Sequence, residues 1–184
     1  MGYIINKFTQ ALITEYDSYG NENTLVYEDK EIFLVNQSPN EIVETSFNYL
    51  GNGLAGALKG SRDILRKKKM VPVALHIPHG IILFSCKLPN DLGIAWFSNS
   101  GIYTAEAVNK KRTRVYLLNG KSVEIAMSYP VFQNRRKDSS FLYMTLKDRY
   151  PLEVSPFYSY ERLELLQKIA ENPQKYKTDQ DDEK

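Results

Sequence analysis

Twelve cations fall into three runs: Arg62, Arg66, Lys67, Lys68 and Lys69, then Lys110, Lys111, Arg112 and Arg114, then Arg135, Arg136 and Lys137. Ammonium and guanidinium groups gathered on one surface attract polyanions, and the planar guanidinium also suits a guanine edge or a narrow A/T-rich minor groove. Acids are scarce around them. Residues 51–150 hold 17 Lys or Arg against six Asp or Glu, whereas residues 1–50 hold two against eight and residues 151–184 hold five against eight. The formal charge of +2 therefore hides a basic middle between acidic ends. That distribution points first to nucleic acid.

Other residues could carry chemistry, and their contexts argue against it. His76 and His79 stand in His-Ile-Pro-His, with Cys86 seven residues on, a set that a metal-dependent hydrolase could use. Pro78 and the β-rich surroundings oppose the helix that would aim both imidazoles one way, so loop or strand histidines are expected. Cys86 ends the apolar run Ile81-Ile82-Leu83-Phe84-Ser85 and reads as a buried, inert thiol. Gly51-x-Gly53-x-x-Gly56 matches a dinucleotide fingerprint in letters only. It follows a helical pattern rather than a strand, and Met70-Val71-Pro72 occupies the place of the required acid. No Gly-x-Ser-x-Gly, phosphate-binding Walker loop or cluster of carboxylates suited to two metals is present. Neither an enzyme, a metal nor a cofactor is expected.

The elements that must position the cations follow from periodicity. Leu12–Tyr16, Thr24–Tyr27 and Glu31–Asn36 are short β-favouring runs. Asn40 is expected to cap a helix bearing Ile42, Val43, Phe47 and Leu50 and ending at Gly51. The glycines from 51 to 60 predict a break, with Gly56 and Gly60 permitting close backbone packing, and Ser61 then caps a basic helix from Arg62 to Lys69. Val71–Ile77 and Gly80–Cys86 form a hairpin, and Gly93–Ser98 and Ile102–Val108 are further strands. Asn119-Gly120 between Thr113–Leu118 and Lys121–Met127 is a strong hairpin signal. A two-residue turn there pairs Tyr116 with Val123 and sends Val123, Ile125 and Met127 to the core. Ser128 caps the next segment, with Val131 and Phe132 facing inward, and Phe141 to Leu146 is read as helix. Residues 159–171 predict a C-terminal helix and residues 172–184 a disordered acidic tail.

The fold class is α+β: a strand-rich single domain over residues 1–171, with antiparallel hairpins packed by several helices. Acidic N-terminal strands occupy 1–38, and the basic central region 40–150. Lys110 to Arg114 lie at the end of their hairpin away from Asn119-Gly120, where the second strand finishes near Met127, and Arg135 to Lys137 follow closely. These two basic runs are therefore expected to converge on one surface, and the Arg62–Lys69 helix, if it borders them, completes a patch of a dozen cations. A single cysteine fits a reducing compartment, and no signal peptide or membrane span is read, so a cytoplasmic, nucleoid-associated protein is expected.

From about residue 40 to 150 the chain resembles the competence transcription factor ComK family of bacterial DNA-binding activators. Ile42-Val43, Phe47, Gly51, Ala55-Gly56, Pro72 and Ile81 to Phe84 carry the likeness. It continues through Trp96-Phe97-Ser98, Asn119-Gly120-Lys121, Ser128-Tyr129, Phe132, Asn134 and Asp148-Arg149. The resemblance implies an activator of genes for competence and DNA uptake. It further implies binding to paired A/T-rich boxes in duplex DNA, chiefly through the minor groove, as dimers that assemble into a tetramer. No cofactor is implied, and abundance would be set by an adaptor that delivers the protein to a Clp protease. The resemblance transfers no contact residue, so the twelve cations stand on charge placement. The alternative partner for the same surface is RNA, in a ribosome-associated or other RNA-binding module.

Overall fold

A computed structural model describes residues 2–149; the helix expected at 159–171 and the tail at 172–184 lie outside the described residues. Among these residues nine strands and three α-helices follow in the order β1 (Ala11–Tyr16), β2 (Glu22–Tyr27), β3 (Ile32–Val35), α1 (Pro39–Tyr49), α2 (Leu54–Leu65), β4 (Val73–His76), β5 (Ile81–Lys87), β6 (Ile94–Ser98), β7 (Ile102–Asn109), β8 (Arg112–Leu117), β9 (Ser122–Ile125) and α3 (Tyr129–Arg149). Six strands form an antiparallel sheet in the order β3-β2-β1-β6-β5-β4, and β7-β8-β9 form a second. The fold class is α+β, as the sequence pattern implied. No helix among the described residues is long and apolar enough to cross a membrane.

The large sheet is covered on both faces. On one side Leu12, Val26, Val73, Leu83 and Trp96 pack against Ile42, Val43 and Phe47 of α1, with Leu54, Ala57 and Leu58 of α2 alongside. On the other, Ala11, Ile13, Phe84, Cys86 and Phe97 meet Val115, Leu117, Val123 and Ile125 of the small sheet and Phe132 of α3. Double coverage explains why β5 reads as the unbroken run Ile81-Ile82-Leu83-Phe84, all four buried, instead of alternating.

Several expectations need correction. Ser38, not Asn40, caps α1: its hydroxyl accepts from the Glu41 N–H at 3.3 Å, while the Glu41 carboxylate accepts from the Ser38 N–H at 2.7 Å. Asn40 instead accepts from the Trp96 indole N–H at 2.9 Å. The glycine-rich stretch is no break, because α2 runs through Gly56 and Gly60 and buries Ser61 in its interior. Leu54, Ala57 and Leu58 supply the apolar stripe that overrides the glycine penalty. Gly56 and Gly60 have no neighbour within 4 Å of where a Cβ would sit, so neither serves close packing. The helix stops at Leu65, with Arg66 left-handed at φ 52°, so Arg66 to Lys69 lie beyond it.

The Asn119-Gly120 hairpin turns through three residues instead of two. Leu117 accepts from the Gly120 N–H at 3.0 Å and donates its own N–H to Lys121 at 2.8 Å, with Gly120 at φ 80°. Tyr116 therefore pairs with Ser122, and Val115 with Val123. Val123 and Ile125 keep the core face, whereas Tyr116 moves to the outer one with Arg114. On α3, Phe132 is fully buried but Val131 is 48% exposed.

Candidate nucleic-acid interface

Three chain segments bring cations to the end of the large sheet where β5 finishes. The β4–β5 register pairs Val73 with Leu83, so the connection entering β4, residues 66–72, runs beside the later half of β5. Helix α3 crosses the same region: Arg135 donates to the Ser85 carbonyl, and Asp138, one turn on, pairs with Lys67. That ion pair ties the first run to the third.

The second run arrives through the turn between β7 and β8, where the Asn109 side chain accepts from the Lys111 N–H at 2.8 Å. The Arg112 guanidinium donates to Asn90 at 2.9 Å, just past β5, and Ala126 at the end of β9 donates its N–H to Lys87 at 2.8 Å. Thr113 donates its hydroxyl to the Met127 carbonyl at 2.8 Å, which sets this hairpin end beside the end of β9.

The twelve residues differ in what they offer an anion. Arg62, Arg66, Lys68, Lys69, Lys110, Lys111 and Lys137 are exposed. Arg112 and Arg136 are half-buried, and burial holds the Arg136 guanidinium below its ordinary pKa. Lys67 is already paired with Asp138. Arg114 lies between two acids from neighbouring strands, with Glu124 at 2.7 Å and Glu106 at 3.5 Å. Its hydrogen bond to Glu124 is the main cause of a raised pKa. Arg135, expected on the surface, is 7% exposed, and its charge is turned inward onto the Ser85 carbonyl.

Sequence reasoning missed Lys87, an exposed cation at the same end. As a lone lysine closing an apolar strand it gives no linear signal, and only the pairing of its carbonyl with the Ala126 N–H brings it to the end of β9. Asp91 is exposed next to Asn90 and tempers the charge there. Among the described residues the four non-glycine positions with positive φ, Arg66, Met70, Asn90 and Asp91, sit in the two loops at this end. Such backbone is strained and concentrates where loops are shaped for contact.

The other chemistry-bearing residues do not assemble. Cys86 is buried in the core, and burial pushes its thiol up to about 12. The His76 and His79 rings lie 4.4 Å apart between centroids, tilted by 42°, and the His76 Nδ1 accepts from the His79 N–H at 3.3 Å. Partial burial, helped by the neighbouring imidazole, lowers the His76 pKa and favours its neutral form. They border an apolar hollow of about 300 Å³ with Ile4, Ile5, Tyr49 and Leu50. Among the described residues no three His, Cys, Asp or Glu side chains are placed to hold a metal ion.

Comparison with known proteins adds an independent finding. A family model described as ComK protein matches residues 1–151. The competence transcription factor of Bacillus subtilis (strain 168) is 26% identical over 147 residues, covering 80% of this chain and 76% of the relative. No solved structure gives a significant match.

Proposed function

The chain belongs to the ComK protein family, and from that premise we propose that it is a competence transcription factor that binds duplex DNA with the cations gathered at the end of β5. The observation that carries the reading is the meeting of three basic segments there, tied by Lys67 to Asp138 and by Arg112 to Asn90. Arg62, Arg66, Lys68, Lys69, Lys87, Lys110, Lys111, Arg112, Arg136 and Lys137 are the proposed phosphate partners. Lys67 and Arg114 are set apart because a carboxylate already neutralises each, and Arg135 because it is buried against the Ser85 carbonyl. The finer reading is an oligomer on A/T-rich promoter boxes that activates genes for DNA uptake, with its abundance open to control by a Clp-protease adaptor.

Two features favour duplex DNA. Phosphate contacts by lysine and arginine supply affinity and orientation, and the arginines among them suit narrow A/T-rich grooves. Footprinting on A/T-rich promoters at two ionic strengths tests partner, preference and electrostatics together. With about six phosphates engaged, log K is expected to fall with log[salt] at a slope of about −5. A slope near zero, or a preference for single-stranded RNA over the duplex, would overturn the proposal.

A further inference from the structure

Two large apolar side chains face water amid the cations at the end of β5. Met70 is 60% exposed and follows the exposed Lys68 and Lys69, and Leu92 is 55% exposed in the loop between β5 and β6. Met70 itself holds φ 59°, and Leu92 follows Asn90 and Asp91 at φ 57° and 54°. Left-handed backbone is costly for a side chain as bulky as methionine. A lone exposed leucine or methionine needs no explanation. Two of them, on strained loops at the end where the basic segments meet, do.

Both loops are held from behind. Val71 and Pro72 are buried directly after Met70. The Leu88 N–H donates to the Gly93 carbonyl at 2.9 Å and the Leu92 N–H to that of Pro89 at 3.2 Å, which closes the second loop. Gly93 packs against Thr14, whose hydroxyl accepts from the Ile94 N–H at 3.1 Å, while Asn90 takes the Arg112 guanidinium. Leu92 is thus presented on a loop pinned on both sides. Charge selects what covers these side chains. A protein surface burying them would also have to desolvate Arg66, Lys68, Lys69 and Lys87, with only Asp91 in the two loops to offset them. Duplex DNA instead takes the cations on its phosphates and leaves the apolar tips over a groove. The Asp91 carboxylate repels phosphate, so the second loop favours base edges over the backbone.

We propose that Met70 and Leu92 are wedges that enter between stacked base pairs of duplex DNA, unstack them and bend the duplex. Methionine and leucine suit this task because the opened step offers an apolar slot between two base faces. The inference rests on the proposed function and adds a source of sequence preference to it. Pyrimidine–purine steps unstack most cheaply and are favoured at the points of entry.

The test uses A/T-rich duplexes in which 2-aminopurine, bright only when unstacked, replaces each adenine in turn. The full chain is expected to raise the fluorescence at pyrimidine–purine steps within its binding site and to leave the other positions dark. A double variant, Met70→Ala with Leu92→Ala, should abolish the rise and bind about tenfold more weakly. Its salt slope should match that of the unsubstituted chain, because the phosphate contacts are untouched. Both positions are exposed, so the denaturant midpoint should not move. Duplex binding without a bright step, or a rise that survives both substitutions, would overturn the wedge and leave the proposed function standing. A flattened salt slope in the double variant would also overturn it, since the loss would then lie in phosphate contacts. No duplex binding by the unsubstituted chain would overturn both readings.

Discussion

Arg135 shows how far a residue's role can depart from its type. It sits in a basic run, yet its guanidinium is buried against the Ser85 carbonyl beside Cys86. Truncating a buried, hydrogen-bonded cation leaves a carbonyl without its donor and a gap in packing. Arg135→Ala is expected to lower stability by about 2 kcal/mol in urea denaturation, whereas the exposed Lys137→Ala should leave it within about 0.5 kcal/mol. Cys86 makes a pH prediction. The folded thiol keeps its proton to about 12, whereas an unfolded thiol releases it from about 9.0. The unfolded state thus binds fewer protons above pH 9, and stability falls as pH rises from there towards 12. The slope is at most about 1.4 kcal/mol per unit. Cys86→Ala should remove that component, which denaturation midpoints between pH 8 and 10 will report.

At the scale of elements, caps and turns decide where the chain bends. Ser38→Ala removes the hydroxyl half of the capping box on α1 and should cost about 1 kcal/mol, read as a shifted denaturant midpoint. Gly120 holds φ 80° in the three-residue loop between β8 and β9, so Gly120→Ala is expected to cost about 1–2 kcal/mol. Gly93 is the sharper case: at φ 99°, an added Cβ would come within 2.6 Å of the Thr14 side chain. Periodicity revealed most of these elements, including the β4–β5 hairpin, the strands β6 and β7 and the helical Phe141–Leu146. It failed where two local signals competed. Asn40 is a capping residue by type, but Ser38 stands one residue before Pro39 and three before Glu41, the spacing of a capping box, and the glycines of α2 mask an apolar stripe that counts only once a sheet lies beneath it.

Across the whole molecule, charge is set by neighbours as much as by composition. Asp138 and Glu124 come from outside the runs they neutralise, so a tally along the chain overstates the cations available. On the proposed function, replacing Lys110 and Lys111 by alanine should flatten the salt slope by about two, whereas Arg114→Ala should leave it nearly unchanged. Asp138→Asn should release Lys67 and steepen the slope by about one, measured by titration on the same duplex. A slope altered by Arg114→Ala and indifferent to the lysine pair would place the contact on the outer face of the small sheet instead.

The linear sequence by itself determined the α+β class, the basic middle of the chain and the likeness to its family, because composition, periodicity and residue order need no partner to be read. The place of Lys110 to Arg114 was also foreseeable, since hairpin geometry sends them away from Asn119-Gly120 to the end beside Met127. Which cations face solvent was decided by tertiary structure alone. Burial of Arg135, pairing of Arg114 across two strands and recruitment of Lys87 all arise from strand register and helix crossing, where residues distant in the chain fix one another's surroundings.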